Sequence, residues 1–308
     1  MQTENLPIQE SYYVAGNNLL AYTDIESERD LLDDGRGLVH IWEPPIQQAR
    51  YILSGDPTVG ITGWNRATRI DGDHKTDNAG LEIFRVDAIK RLCYLEDGKP
   101  DIDPYTKAQR FIYADKQVAE FFAPIDAVEF ARVLNLMGRI YAGDAEDQCE
   151  LIFESYPGPG VLTLQELLRL GYTNLWQWEL IADGAAEPTN HIGWRSWKES
   201  QRLLWLRARR HLMEDRAEIL SPWLLEEYRN AIIDPEKMRA RAAYGVHDDL
   251  LQSASMAFWA AHRWTYDIER TWEPVTEAPI VNYQQLAPTL GEYRSYKDSW
   301  ADAIDTWG

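Results

Sequence analysis

The stretch Arg50-Tyr-Ile-Leu-Ser-Gly-Asp56-Pro-Thr-Val-Gly60 constrains the fold most. A short β-prone run bounded by Gly55, Pro57 and Gly60 reads as a buried central strand, and it ends on a carboxylate. An Asp at such a strand end has its backbone held by the ladder and its side chain at the lip of a sheet. There it can serve as a metal ligand, although Asp-Pro is also a common turn opener. A second run, Cys149-Glu-Leu-Ile-Phe153, ends in the same way, at Glu154 followed by Ser-Tyr-Pro-Gly-Pro-Gly160. A third acidic station, His247-Asp248-Asp249, precedes Leu250 to His262, which is apolar on nearly all sides and reads as a buried helix.

The remaining elements alternate. Gly37-Leu-Val-His-Ile-Trp42 has strand periodicity and stops at Pro44-Pro45. Gly63 to Thr76 is a polar loop, Gly80 to Lys90 a second strand, and Phe111-Ile-Tyr with Gln117 to Phe122 a hairpin-like third. Asp126-Ala-Val-Glu129 is a capping box opening an amphipathic helix along Ala127, Phe130, Ala131, Leu134, Met137, Gly138 and Tyr141. Thr163-Leu-Gln-Glu166 and Ser196-Trp-Lys-Glu199 repeat that signature for helices closing at Gly171 and about Arg210, and Ser221-Pro222 starts another. Asn174 to Trp178 reads as a further strand. The expected class is α/β, a central mixed sheet flanked by helices, with the carboxylates along one edge.

A chain of 308 residues with 45% hydrophobic content can bury a full core in one large domain or two small ones. No apolar run is long enough to cross a bilayer, and Met1-Gln-Thr-Glu-Asn lacks the basic and apolar regions of a signal peptide, so a soluble cytoplasmic protein is expected. Cys93 and Cys149 are too few for a disulfide framework or a zinc site and read as reduced packing residues. A net charge of −19 argues against a broad basic face for a polyanion. Positive charge gathers locally, at Arg195, Lys198, Arg202, Arg207, Arg209 and Arg210, a pattern that also suits a solvated helix face.

Brought together, Asp56, Glu154 and Asp248 or Asp249 would repel unless cations lay between them. Oxygen-only ligands select hard ions, magnesium or manganese, and two such ions suit in-line attack on a phosphodiester. Each station also has a plainer reading: a turn or salt-bridge role for Glu154, helix capping for Asp248 and Asp249, and a hydrogen-bonding neighbour in His247.

In its order of motifs the chain resembles the nuclease domain of the large terminase subunit of tailed double-stranded DNA phages. The likeness covers roughly Gly37 to Trp264. It rests on Ile41-Trp-Glu-Pro-Pro leading into Tyr51-Ile-Leu-Ser-Gly-Asp56, on Phe153-Glu154-Ser-Tyr-Pro-Gly-Pro-Gly160, on Gly171-Tyr-Thr-Asn-Leu175, on Gly193-Trp-Arg-Ser-Trp-Lys198 and on Gly245-Val-His-Asp-Asp-Leu250. The resemblance implies an RNase H-like fold and a metal-dependent endonuclease that cuts concatemeric double-stranded DNA during packaging, using two Mg2+ or Mn2+ ions. It implies Asp56, Glu154 and a final aspartate as catalytic residues and metal ligands; the sequence does not assign that aspartate between Asp248 and Asp249, and Asp248 is taken as catalytic with Asp249 close by as a further ligand. Lys198, Arg195 and His247 become DNA-binding or accessory residues. Trp64 to Thr76 is a longer polar insertion than the family's continuation after its first aspartate, and Tyr156 stands where Asn is common.

The family's large subunits begin with an ATPase domain, whereas this sequence has no Gly-x-x-x-x-Gly-Lys-Ser/Thr phosphate loop. The expected organisation is an N-terminal extension over 1–50, an RNase H-like nuclease domain over 51–270 and an acidic, aromatic tail over 271–308. The chain is then either an excised nuclease domain or the partner of a separately encoded motor, with no ATPase activity of its own. By resemblance its partners are double-stranded DNA, the ATPase motor domain, the small terminase subunit and the portal protein, without a membrane, in the cytoplasm of the infected bacterial host. Alternatives of other classes are a non-catalytic packaging or docking module that retains the fold, and a glycosidase using an Asp/Glu pair.

Overall fold

The computed structural model describes residues 10–15, 18–21, 38–60, 77–95, 97–156, 158–182, 185–234, 239–242 and 248–261. The expected loop from Gly63 to Thr76, His247 and the tail from 271 lie outside them. In chain order the strands β1 (Glu10–Ala15), β2 (Asn18–Ala21), β3 (Leu38–Ile41), β4 (Tyr51–Asp56), β5 (Ala79–Leu92) and β6 (Phe111–Ala123) precede helix α1 (Ala127–Ile140). Then come β7 (Glu150–Tyr156), α2 (Pro159–Arg169), β8 (Gln177–Ala182), β9 (Ala185–Ile192), β10 (Trp194–Arg195) and α3 (Lys198–Met213). The last are β11 (Ala217–Glu218), α4 (Pro222–Asn230), β12 (Ala231–Asp234), β13 (Arg239–Ala242) and α5 (Asp249–Ala261).

Among the described residues a nine-stranded sheet has the order β10-β7-β4-β5-β6-β3-β1-β2, with β11 added beside β6. Within its centre β4, β5 and β6 form an antiparallel meander, while β7 runs parallel to β4 and β10 parallel to β7. A three-strand meander extended on its first strand by two parallel strands, with helices on both faces, is the RNase H-like fold. β3 and β1 continue the same sheet beyond β6.

Period-two alternation divides the side chains of β4 between two cores. Tyr51 and Leu53 join the apolar layer under α1 and α2 with Phe130, Leu134, Met137 and Leu167, whereas Ile52 joins the layer under α3, α4 and α5 with Leu204, Leu224, Ala254 and Phe258. Tryptophans fill one end of the second layer: Trp178 lies 4.8 Å and Trp259 5.2 Å from Trp194, centroid to centroid.

Helix starts follow the sequence signals where a side chain is free to turn back. Asp126 caps α1 by accepting from the Val128 and Glu129 amides at 2.9 Å, and Ser221 caps α4 through Leu224 N at 3.0 Å. Two expected caps are corrected. Helix α2 begins four residues before Thr163, with Gly158 as its N-cap, and Thr163 is buried within it, its hydroxyl 3.3 Å from Ala127 O. Helix α3 has Trp197, not Ser196, at its N-cap, and Ser200 Oγ accepts from Trp197 N at 2.9 Å. It also runs on to Met213, past Arg210. Two strand readings change as well. The expected pieces at Phe111 and Gln117 are one continuous β6. From Asn174 to Trp178 only an isolated bridge between Leu175 and Leu151 forms before β8 begins at Gln177.

Candidate functional site

The alternation that sorts the core also aims the carboxylates. Gly55 backs onto α1, where a Cβ would lie 3.0 Å from Leu134 Cδ2. Asp56 therefore faces the other side, with Ile52 and with Ser54, whose hydroxyl is 3.0 Å from that of Ser253 on α5. On β7 Phe153 lies in the α1 layer and Ile152 in the α5 layer, so Glu154 turns toward α5 as well. The parallel register, Gly55 opposite Phe153, brings Asp56 and Glu154 side by side. Glu154 is not the end of its strand, which runs on to Tyr156.

The third station arrives from above. Asp56 pairs with Gly80 in the neighbouring β5, and a Cβ on Gly80 would meet the carbonyl carbon and oxygen of Asp249 at 2.8 Å. The bare glycine thus lets the first turn of α5 rest on the sheet next to Asp56. Asp249 is buried, and its Oδ2 accepts from Asn78 N at 3.0 Å.

Electrostatics reports the same convergence. The Asp56 carboxyl is held well above the usual carboxylate range, first by burial, then by the charges of Glu154 and Asp249, a hydrogen bond with Glu154, and the charge of Asp248. Asp249 weighs more on Asp56 than Asp248 does. Among the described residues no arginine pairs with Asp56 or Glu154, and no three His, Cys, Asp or Glu side chains are already disposed around a common metal position. The donor set is all oxygen, which suits a hard cation better than zinc.

Arg195 sits in β10, paired with Tyr156 of β7 and so one strand beyond Glu154. The backbone of Lys198 is the first residue of α3. Cys149 is buried and Cys93 part-buried, and neither is in a disulfide.

Three residues bear on the site without any signal that would single them out in sequence. Asn78 acts through its backbone amide, and Gly80 reads as an ordinary strand opener. The third is Glu227, a buried carboxylate on α4 whose Oε2 accepts from Leu251 N at 2.7 Å. Beside it Glu82 and Glu120, opposite each other on β5 and β6, form a second buried acidic pair. Burial pushes Glu120 up to about 8, and burial followed by the Glu120 charge raises Glu82 well above the usual range.

No protein-family model matches this chain, and no curated protein matches it in sequence. Among solved structures it is similar to the large terminase nuclease domain of Thermus phage P74-26, at 12% identity over 76% of this chain and 93% of that one, with a TM-score of 0.44. A likeness of that size is distant, and the assignment of the chain to the RNase H-like fold stands on its own strand order and directions.

Proposed function

We propose that the chain is a metal-dependent endonuclease that hydrolyses double-stranded DNA, the nuclease part of a viral genome-packaging terminase. The observation that carries the reading is the meeting of Asp56, Glu154, Asp248 and Asp249 at one edge of the sheet, from three elements far apart in sequence. The motif order shared with terminase nucleases supports the choice of substrate and of packaging partners: DNA, a motor domain, the small subunit and the portal, in the host cytoplasm. Among the described residues no helix is long and apolar enough to cross a membrane.

Asp56 lies between the other acidic groups and is the residue to share cations, with Glu154 on one side and Asp249 and Asp248 on the other. Magnesium or manganese, one ion or a pair, would supply Lewis-acid activation of water and offset charge on the scissile phosphate. Cation loading requires the Asp56 carboxyl, held above the usual carboxylate range, to be ionised, so binding should strengthen as pH rises. The sheet and α5 hold the carboxylates in place before substrate arrives, which limits reorganisation during the reaction. Arg195, on the strand next to β7, and Lys198, by the motif resemblance, are the basic residues assigned to meet a DNA backbone in this reading.

The test is plasmid cleavage by the purified chain with Mn2+ or Mg2+ and with EDTA. Cleavage is expected with either ion and none with EDTA, and Asp56→Ala should abolish it while the protein keeps its circular dichroism. An unchanged rate in that variant would falsify the assignment. No carboxylate-dependent uptake of divalent ions, together with no cleavage, would favour a docking module instead.

A further inference from the structure

We infer that Glu227 is a positioning residue for the acidic site: through its hydrogen bond to Leu251 N it holds the first turn of α5, and with it Asp249 and Asp248, in register against Asp56. This inference rests on the nuclease reading of the site. Leu251 is the third residue of α5, so its amide is among those at the helix start that have no partner within the helix. A carboxylate from α4 reaches across and accepts from it at 2.7 Å.

The contact joins a small set of fixings around one turn. Gly80 permits backbone contact from below, the Asn78 amide holds one oxygen of Asp249, and Gln252 N bonds back to Asp248 O at 2.9 Å. Glu227 supplies the hold from the α4 side, and α4 is itself anchored. Ser221 caps its start, and Gln117 of β6 accepts from Leu220 N and Ser221 N at 2.8 and 2.7 Å while donating to Glu82 Oε2 at 2.7 Å. A path of buried hydrogen bonds thus runs from the sheet through α4 to the acidic turn.

Glu227 is a further buried carboxyl beside Asp249 and Asp248, and burial first, then the charge of Asp249, hold it well above the usual carboxylate range. An apolar residue would pack there without that cost. The geometry gives the carboxylate a task that only an acceptor can perform, and Gln can perform it too. Displacing a catalytic group by about 1 Å can cost 100-fold in rate, so a loosened turn should be read out first in metal affinity.

Calorimetric Mn2+ titration and the Mn2+ dependence of plasmid cleavage should be measured on the full chain for wild type, Asp56→Ala, Glu227→Gln and Glu227→Ala. Expected results are tight uptake by wild type that Asp56→Ala abolishes, affinity within threefold of wild type for Glu227→Gln, and at least tenfold weaker affinity for Glu227→Ala. In the last variant the half-saturating Mn2+ rises at least tenfold while kcat at saturating metal stays within a few-fold. Wild-type affinity in Glu227→Ala overturns the inference and leaves the nuclease reading standing. Affinity in Glu227→Gln as weak as in Glu227→Ala overturns it too, because charge and not the acceptor would then matter. If the Ala variant does not fold, the Gln variant decides alone: within threefold supports the role, tenfold weaker removes it. No uptake by wild type removes the site reading and this inference together.

Discussion

At the scale of single residues, the protein tolerates buried acid where it would usually be selected against. Glu120 is the clearest case, because its carboxyl, ordinarily near 4.5, is pushed up to about 8 by burial on the sheet face next to Glu82. Between those two values the folded protein retains a proton that the unfolded chain has already released. Stability is therefore greatest at low pH within this window, falls as pH rises from about 4.5 to 8, and levels off above. Glu82, Glu227 and Asp56 are shifted in the same direction and add to the slope. Denaturant midpoints of the metal-free protein at pH 5, 6.5 and 8 should fall in that order. Glu120→Gln, which cannot ionise, should flatten the series and raise the value at pH 8. A midpoint that climbs with pH would contradict the raised carboxyl of Glu120.

At the scale of elements, the seat of α5 on β5 makes a different demand. Gly80→Ala would place a methyl carbon 2.8 Å from the Asp249 carbonyl, and neither backbone can yield easily. We expect a stability loss of about 1–3 kcal/mol by denaturation, the usual cost of overpacking, with DNA cleavage reduced at least tenfold. Full cleavage in Gly80→Ala would mean that the turn is not tightly seated. What could be read from sequence divides along the same line. β4 with Asp56, β7 with Glu154, and α1 with its Asp126 cap were legible because each depends on a local pattern of alternation, turn residues or capping chemistry. Thr163 and Ser196 misled because the same four-residue signature occurs inside a helix and one residue ahead of one, where packing against α1 or the turn after β10 decides the register. Glu227, Asn78 and Gly80 were invisible, since their roles come from what the fold brings next to them. The sequence left open which of Asp248 and Asp249 is the main ligand, and both bear on Asp56 in the fold.

At the scale of the whole molecule, α5 lies along β4 in the opposite direction. It starts at the carboxylates beside Asp56 and ends at Ala261, whose carbonyl oxygen is 3.4 Å from Arg50 Nη1 at the beginning of that strand. The partial positive charge of a helix N-terminus, about half an elementary charge, thus faces the crowded acids, and a guanidinium meets the negative end. Part of the neutralisation that a cation completes is built into the backbone, so the fold should survive chelation, unlike small metal-nucleated domains. In EDTA the far-ultraviolet spectrum should be unchanged. Adding Mn2+ at about 100 times its dissociation constant should raise stability by about 2.7 kcal/mol, the value mass action allows. On the nuclease reading, such a chain could be made and stored without an ion and switched on by metal supply alone.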